Sequence, residues 1–304
     1  MVDVCLLGTG GMMPLKDRFL TSLYVSYNGK AILVDCGEGT QVAIAKYGLK
    51  MSRIELILIT HCHADHISGL PGLLLSIGNS SRTEPLDIAA PESCISILEN
   101  LMTICGVLPY TVRFYGLPEN RQVIFSADMV DPLLKIAVQP LSHRVPCVGY
   151  SLIFERKPTF LPQKAKELKV PVEYWKKLHC GEKIILEDGT IIAPEDVTGE
   201  RKVPLKITYV TDTLPIDDIG VFASDADIFI CEGMYGDPEK KASMNEKRHM
   251  LMQDACAIAK RAGVKRLWLT HYSPAEKEPS VYEETLREIF ADTTVTSDGA
   301  KLSL

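Results

Sequence analysis

The stretch THCHADH, residues 60–66, sets three histidines and an aspartate within seven positions of a 304-residue chain that holds only seven histidines in all. Imidazole nitrogen and carboxylate oxygen are the usual ligands of zinc and related divalent ions, so the crowding points to metal. Just before it, IELILIT reads as a short buried strand. If the chain stays extended past the strand's end, His61 and His63 point the same way and can grip one ion. Asp65 and His66 fall in the following turn and face a different point. The pattern H-x-H-x-D-H therefore suits two adjacent ions. Two divalent ions about 3.5–4 Å apart favour hydrolysis of phosphoesters or amides, because they clamp both the attacking and the leaving oxygen.

Such a pair needs further ligands from distant strands. Three later runs end in suitable groups: His143 in PLSH, Asp212 in YVTD and His271 in LWLTH. Either His143 or His271 alone reads as an ordinary polar strand end. In this order behind H-x-H-x-D-H, the set reads as a metal centre, with only His179 and His249 left outside it.

With 46% hydrophobic, 24% charged and 7% aromatic residues the chain is globular in composition and long enough for a full core. No apolar run approaches the roughly 20 residues of a membrane span. The opening MVDVCLLGTGG reads as a strand and a glycine turn, without the basic start and long apolar region of a secretory signal. That turn also lacks the third glycine and acidic partner of a dinucleotide fingerprint, so a tight loop is expected. The nine cysteines stand singly, with no C-x-x-C pair, which predicts reduced thiols and a cytoplasmic location. Cys62, between His61 and His63 on an extended chain, is expected to turn away from the metal as a packed thiol. A net charge of −6 argues against a polyanion-binding surface over the whole molecule, though not against a local basic patch.

Short β-branched runs recur: DVCLLG, SLYVSY, AILVD, IELILIT, LDIAA, TVRFYG, LLKIAV, GYSLIFE, KITYVTD, ADIFICE and RLWLTH. Helices are expected from Thr40 to Gly48, from Pro91 to about Cys105 with Ile95, Leu98 and Met102 on one face, and from Asn245 to Ala262, closed by Gly263. The mixture predicts one α/β domain over residues 1–304, a layered sandwich with helices outside and two sheets inside. Residues 156–204 read as an excursion from it. Residues 156–177, RKPTFLPQKAKELKVPVEYWKK, carry seven basic side chains against two acidic, with three prolines and the aromatics Phe160, Tyr174 and Trp175 among them.

The ligand pattern resembles the metallo-β-lactamase superfamily, whose fold is an αββα sandwich with a dinuclear centre. Within it the chain is similar to the ribonuclease Z family along nearly its whole length. The resemblance is carried by LLGTGGMMP (6–14), VDCGEGTQ (34–41), ITHCHADHISGLPGLL (59–74), LSHRVPCVGYSL (141–152), LEDGTIIAPEDVTG (186–199), ADIFICEGMY (226–235) and LWLTHYSP (267–274). DCGEGTQ and DH-x-x-GLPGLL point to ribonuclease Z more narrowly than the histidine core does.

The resemblance implies a metal-dependent endoribonuclease that cuts precursor tRNA 3′ to the discriminator base, leaving a 3′-hydroxyl on the tRNA and a 5′-phosphate on the trailer. It implies two zinc ions per subunit, with manganese as a substitute. His61, His63 and His143 would hold one ion, Asp65, His66 and His271 the other, and Asp212 would bridge. Asp65 would also accept the proton of the attacking water. His249 stands where the family carries a histidine near the scissile phosphate, with Glu232 orienting it. The excursion matches the family's protruding basic arm, and Lys164, Lys166, Lys169, Lys176 and Lys177 are its candidate RNA contacts. A homodimer is implied, with no DNA or membrane contact.

The sequence departs from the family at three places. CEGMY surrounds Glu232 where His-Glu-Ala-Thr is usual, Met250 and Leu251 replace Ser-Thr after His249, and SPAEKEP replaces the Arg-Tyr pair after His271. These leave two other functions open: a dinuclear hydrolase of small phosphodiesters or esters, and a metal-holding RNA-binding protein without catalysis. A di-iron redox centre would exchange a ligand histidine for a carboxylate and add an electron-transfer domain, and neither is present.

Overall fold

The structure is a computed structural model that describes all 304 residues. The chain divides into two compact units, Met1–Ile153 with Lys206–Leu304, and Phe154–Leu205. Its strands are β1 (Val2–Gly8), β2 (Ser22–Tyr27), β3 (Lys30–Val34), β4 (Ile54–Leu58), β5 (Leu86–Pro91), β6 (Val112–Leu117), β7 (Val123–Ser126) and β8 (Leu134–Pro140). They continue with β9 (Val148–Arg156), β10 (Ile184–Ile185), β11 (Ile191–Ile192), β12 (Lys202–Val210), β13 (Ile228–Glu232), β14 (Leu267–Thr270), β15 (Thr293–Val295) and β16 (Lys301–Ser303). Two seven-stranded sheets result, in the orders β16-β1-β2-β3-β4-β5-β6 and β15-β14-β13-β12-β9-β8-β7.

In the first sheet β4 lies parallel to both β3 and β5. Parallel strands covered on both faces read as continuous apolar runs, and Ile54, Leu56, Ile57 and Leu58 are all buried. Helices α1 (Thr40–Lys46), α2 (Ala64–Ile67), α3 (Leu70–Asn79) and α4 (Ile95–Met102) follow these strands. Ala43 and Ile44 of α1, Leu73 and Ile77 of α3 and Leu98 of α4 pack with Leu33, Ile57 and Ile88 of the sheet's outer face. The expected helix from Pro91 is shorter, with a 3-10 turn on either side of α4.

The second unit has its own small core. Helices α5 (Pro162–Glu167) and α6 (Val172–His179) and the β10–β11 ribbon bury Ala165, Val170, Leu178, Ile184, Ile192 and Val197. Phe160 and Trp175 pack with ring centroids 5.4 Å apart and planes tilted by 42°, and the Trp175 indole donates to the Val170 carbonyl. Lys164, Lys166, Lys169, Lys176 and Lys177 are all exposed.

In the second sheet β12, β13, β14 and β15 run parallel in succession. Helices α7 (Asp218–Phe222), α8 (Lys241–Lys247), α9 (Met252–Ala262) and α10 (Glu283–Ile289) come between or after them. Phe229, Cys231, Leu267 and Leu269 pack outward on Ala255, Ile258 and Ala259 of α9, Ile219 of α7 and Leu286 of α10. By the two-residue alternation of a strand, Ile207, Tyr209, Ile228 and Ile230 face inward and are buried. The hydroxyl of Tyr150 in β9 donates to the carbonyl of Ile59, just past β4, at 2.6 Å. The fold is an αββα sandwich of the metallo-β-lactamase type.

One expected helix is two. Residues 245–262 break between α8 and α9, because Arg248 takes a left-handed conformation (φ 60) and Leu251 is extended. His249 therefore sits in the connection between the two helices. Gly263, also left-handed, ends α9 as the sequence predicts. No helix is long and apolar enough to cross a membrane.

Candidate metal centre

Each sequence-predicted ligand stands just beyond the end of a strand. His61 and His63 follow β4, and Asp65 and His66 lie in the single turn of α2, so the heptad turns from strand to helix within four residues. His143 follows β8, Asp212 follows β12 and His271 follows β14. Asp212 (φ 52) and His271 (φ 58) are left-handed, an uncommon conformation for non-glycine residues that turns their side chains across the strand ends. Gly11 fits over His271 because it has no side chain: a Cβ there would lie 2.6 Å from the imidazole ring.

The seven side chains converge in two groups, which a third, Asp212 with His249 and His271, bridges. His61, His63, His143 and Asp212 form one, and Asp65, His66 and His271 the other. His61 Nε2 lies 3.0 Å from His63 Nδ1, and His143 Nε2 lies 3.2 Å from the same atom. In the second group His66 Nε2 and His271 Nε2 are 3.2 Å apart. Nitrogens on a tetrahedral ion at 2.0–2.1 Å would be separated by about 3.3 Å. The ring nitrogens therefore already sit at ligand spacing, and the donor set suits a divalent metal.

Asp212 faces both groups. Its Oδ2 lies 3.7 Å from His61 Nε2 and 3.6 Å from His143 Nε2. Its Oδ1 lies 3.3 Å from His66 Nε2 and 3.0 Å from His271 Nε2.

The outward nitrogens of His61, His143 and His66 are held from behind, which fixes ring orientation, whereas His271 Nδ1 is buried without a partner. His61 Nδ1 meets the Thr60 hydroxyl at 3.1 Å, and His143 Nδ1 donates to the Arg248 carbonyl at 3.1 Å. His66 Nδ1 donates to Asp35 Oδ2 at 2.8 Å. Asp35 is fully buried, left-handed, and also accepts from the Thr60 amide and hydroxyl. The sequence reading missed this carboxylate, although AILVD ends in aspartate just as YVTD does. It missed the Met12 amide too, which donates to Asp65 Oδ2 at 2.6 Å.

Burial pushes His61 well below the usual imidazole range, lowers His63, and brings His143 down to about 4, so these rings are neutral and able to ligate. Burial opposes ionisation of Asp65, yet His66 and His271 outweigh it and hold its carboxyl well below the carboxylate range.

Beside the cluster, His249 Nδ1 donates to Glu232 Oε2 at 2.9 Å, while Glu232 Oε1 accepts from the Thr213 amide. Burial works against charge on His249, but Glu232 and then Asp212 outweigh it and raise its pKa to about 9. His249, His143, Asp65 and Met12 line one cavity. Cys62 lies off the cluster, with its thiol 3.8 Å from the Cys94 carbonyl. The five lysines of the basic stretch lie in the second unit, outside the cluster.

Known proteins resemble this chain at three levels. The family described as Anti-Pycsar protein Apyc1 matches residues 2–106. The ribonuclease Z of Clostridium acetobutylicum is 44% identical over 303 residues, 98% of this chain and 96% of that protein. The ribonuclease Z of Lachnoclostridium phytofermentans is 41% identical over 304 residues, covering 100% of this chain and 98% of its own. The chain belongs to the ribonuclease Z family. The fold agrees: the crystal structure of human tRNase Z, short form, superposes with a TM-score of 0.68 at 24% identity, covering 99% of this chain and 98% of that one. YhfI of Bacillus subtilis, a metallo-β-lactamase fold protein, gives 0.69 at 16% identity over 99% of this chain and 98% of its own. Ribonuclease Z membership thus rests on identity along the whole chain, and the solved structures add the fold.

Proposed function

We propose that this ribonuclease Z family member is a metal-dependent endoribonuclease that matures the 3′ ends of tRNA. It cuts the precursor after the discriminator base, leaving a 3′-hydroxyl on the tRNA and a 5′-phosphate on the trailer. The carrying observation is the way Asp212 presents one oxygen to each of two histidine groups, in a chain 44% identical to a ribonuclease Z.

His61, His63 and His143 would hold one ion, Asp65, His66 and His271 a second, with Asp212 shared. Zinc fits the nitrogen-rich set, and manganese is an alternative. Divalent ions there supply Lewis acidity, which makes water a better nucleophile near neutral pH and offsets charge on the phosphoryl oxygens. Asp65, kept ionised by His66 and His271 and aligned by the Met12 amide, accepts a proton from the attacking water. Attack on phosphorus breaks the bond to the 3′-oxygen of the tRNA. His249, protonated and oriented by Glu232, donates a proton to that leaving oxygen. The lysines of the second unit grip phosphates without reading sequence. A cytoplasmic homodimer with no DNA or membrane partner completes the reading, by resemblance to the family.

The test is a precursor tRNA with a short 3′ trailer, incubated with zinc- or manganese-loaded protein beside Asp65→Ala. The expected cut lies after the discriminator base, and the variant loses several kcal/mol of transition-state stabilisation, on the order of 10³-fold in rate. Intact RNA beside rapid turnover of a small chromogenic diester would replace this reading with a small-molecule phosphodiesterase.

A further inference from the structure

Two loops meet beside the cluster, one carrying His143 and the other His249. Arg144 follows His143 in the chain, and its Nη2 donates to the carbonyl of Glu246 at 3.2 Å. Arg248 precedes His249, and its Nη1 donates to the carbonyl of His143 at 2.9 Å. Between these two bonds, His143 Nδ1 donates to the Arg248 carbonyl. Arg144 thus reaches the last turn of α8, which leads into the His249 loop, Arg248 reaches back to the His143 loop, and the imidazole of His143 fastens the middle. The rings of His143 and His249 lie 5.1 Å apart across this junction.

Three features argue that the junction sets geometry. Both guanidinium groups reach carbonyl oxygens, so the bonds constrain the two backbones relative to each other. Arg248 has φ 60, where glycine would be relaxed and an arginine is strained, yet a long side chain stands there and is engaged. Both arginines are exposed, so their bonds add little to the stability of the fold, and their effect falls on alignment.

We infer that Arg144 and Arg248 are positioning residues: together they clasp the His143 loop to the His249 loop and fix the proton donor relative to the metal cluster. The inference rests on the reading of His249 given above. A misplacement of a reacting group by about 1 Å costs up to 10²-fold in rate, and a loosened loop a part of that.

The experiment is steady-state cleavage of the precursor tRNA by the full chain, metal-loaded, comparing wild type, Arg248→Gly, Arg248→Lys, Arg144→Ala and the Arg144→Ala/Arg248→Gly double variant. Bound metal and salt dependence are measured for each. Glycine keeps the backbone relaxed at residue 248 while removing the clasp. Expected is a roughly tenfold fall in kcat for Arg248→Gly at unchanged KM and metal content, with recovery in Arg248→Lys, which keeps one donor. The double variant should lose less than the product of the single losses, since either arginine alone opens the same junction. In a His249→Ala background, Arg248→Gly should leave kcat unchanged. An unchanged kcat in Arg248→Gly and Arg144→Ala overturns the clasp. A rise in KM with a log–log salt slope shallower by about 1 per arginine also overturns it, and makes the arginines phosphate contacts. Loss of metal overturns it as well, in favour of a role confined to His143. Wild-type protein that leaves the RNA intact defeats the function itself, a result distinct from all of these.

Discussion

The cluster at the strand ends and the basic stretch of the second unit are both dense in ionisable side chains, and they are built in opposite ways. Six of the seven candidate ligand residues are buried, and His61, His66 and His143 are each held by a second bond from behind. The five lysines are exposed, on a unit whose small core packs Phe160 and Trp175 beneath them. Buried charges need fixed partners, so their positions are over-determined and suit chemistry that tolerates little displacement. Exposed lysines keep their freedom and suit phosphates, where affinity comes from counterion release and tolerates a loose fit. The contrast predicts that substitutions in the cluster act on kcat or metal retention, whereas those in the second unit act on KM and salt dependence.

The largest effect outside the ligands is expected at His249. On the proposed mechanism its replacement by alanine removes the proton donor, and general acids contribute about 10²–10⁴-fold, so kcat should fall within that range while KM and bound metal hold. The pH profile sharpens the point. With a pKa raised to about 9, His249 is protonated below that value, and activity that needs its proton falls as pH rises through it. Glu232→Gln removes the charge that most favours the protonated ring, so the alkaline limb should move toward the ordinary histidine value near 6.5. An alkaline limb left in place by Glu232→Gln would deny His249 the role of acid.

The two regions also differ in how legible they were. Ligands lie at strand ends, and a strand announces itself by its apolar run; all eleven runs read from the sequence are strands in the structure. The heptad at residues 60–66 supplied the anchor, and a lone His143, Asp212 or His271 acquired meaning only beside it. Strands β7, β10, β11, β15 and β16 were not read. They are two to four residues long and stand at sheet edges, where little apolar surface needs covering. The break at Arg248 was invisible because a left-handed arginine carries no sequence signal, whereas a glycine at the end of α9 does. Asp35 was passed over for a different reason. A carboxylate that orients a ligand has the same strand-end appearance as a ligand, and only the 2.8 Å bond to His66 Nδ1 separates the two.

Asp35 therefore gives the next largest prediction. Asp35→Asn preserves shape but removes the carboxylate behind His66 and disturbs the bonds it accepts from Thr60. Changes to such outer partners cost about 10–100-fold in metal affinity or activity. Excess metal should restore much of the lost rate, as it would not in His249→Ala. A variant that keeps wild-type metal affinity would place the orienting function elsewhere.

The smallest effect per residue belongs to the lysines. Replacing Lys164, Lys166, Lys169, Lys176 and Lys177 together by glutamine should leave kcat and metal content unchanged, because none of them lies in the cluster, and raise KM. Each lost phosphate contact flattens the dependence of log affinity on log salt by about 0.7–0.9. The five together can flatten it by no more than about 3.5–4.5, and by less if some lysines face solvent alone. Single substitutions should differ little from one another, since contacts to phosphate carry no base information. The discriminating observation is convergence at high salt, where variant and wild type should approach the same weak binding as the electrostatic part is screened from both. A gap that persists there would mean that the second unit contributes through packing of its aromatic core, and the division between buried chemistry and exposed grip would have to be redrawn.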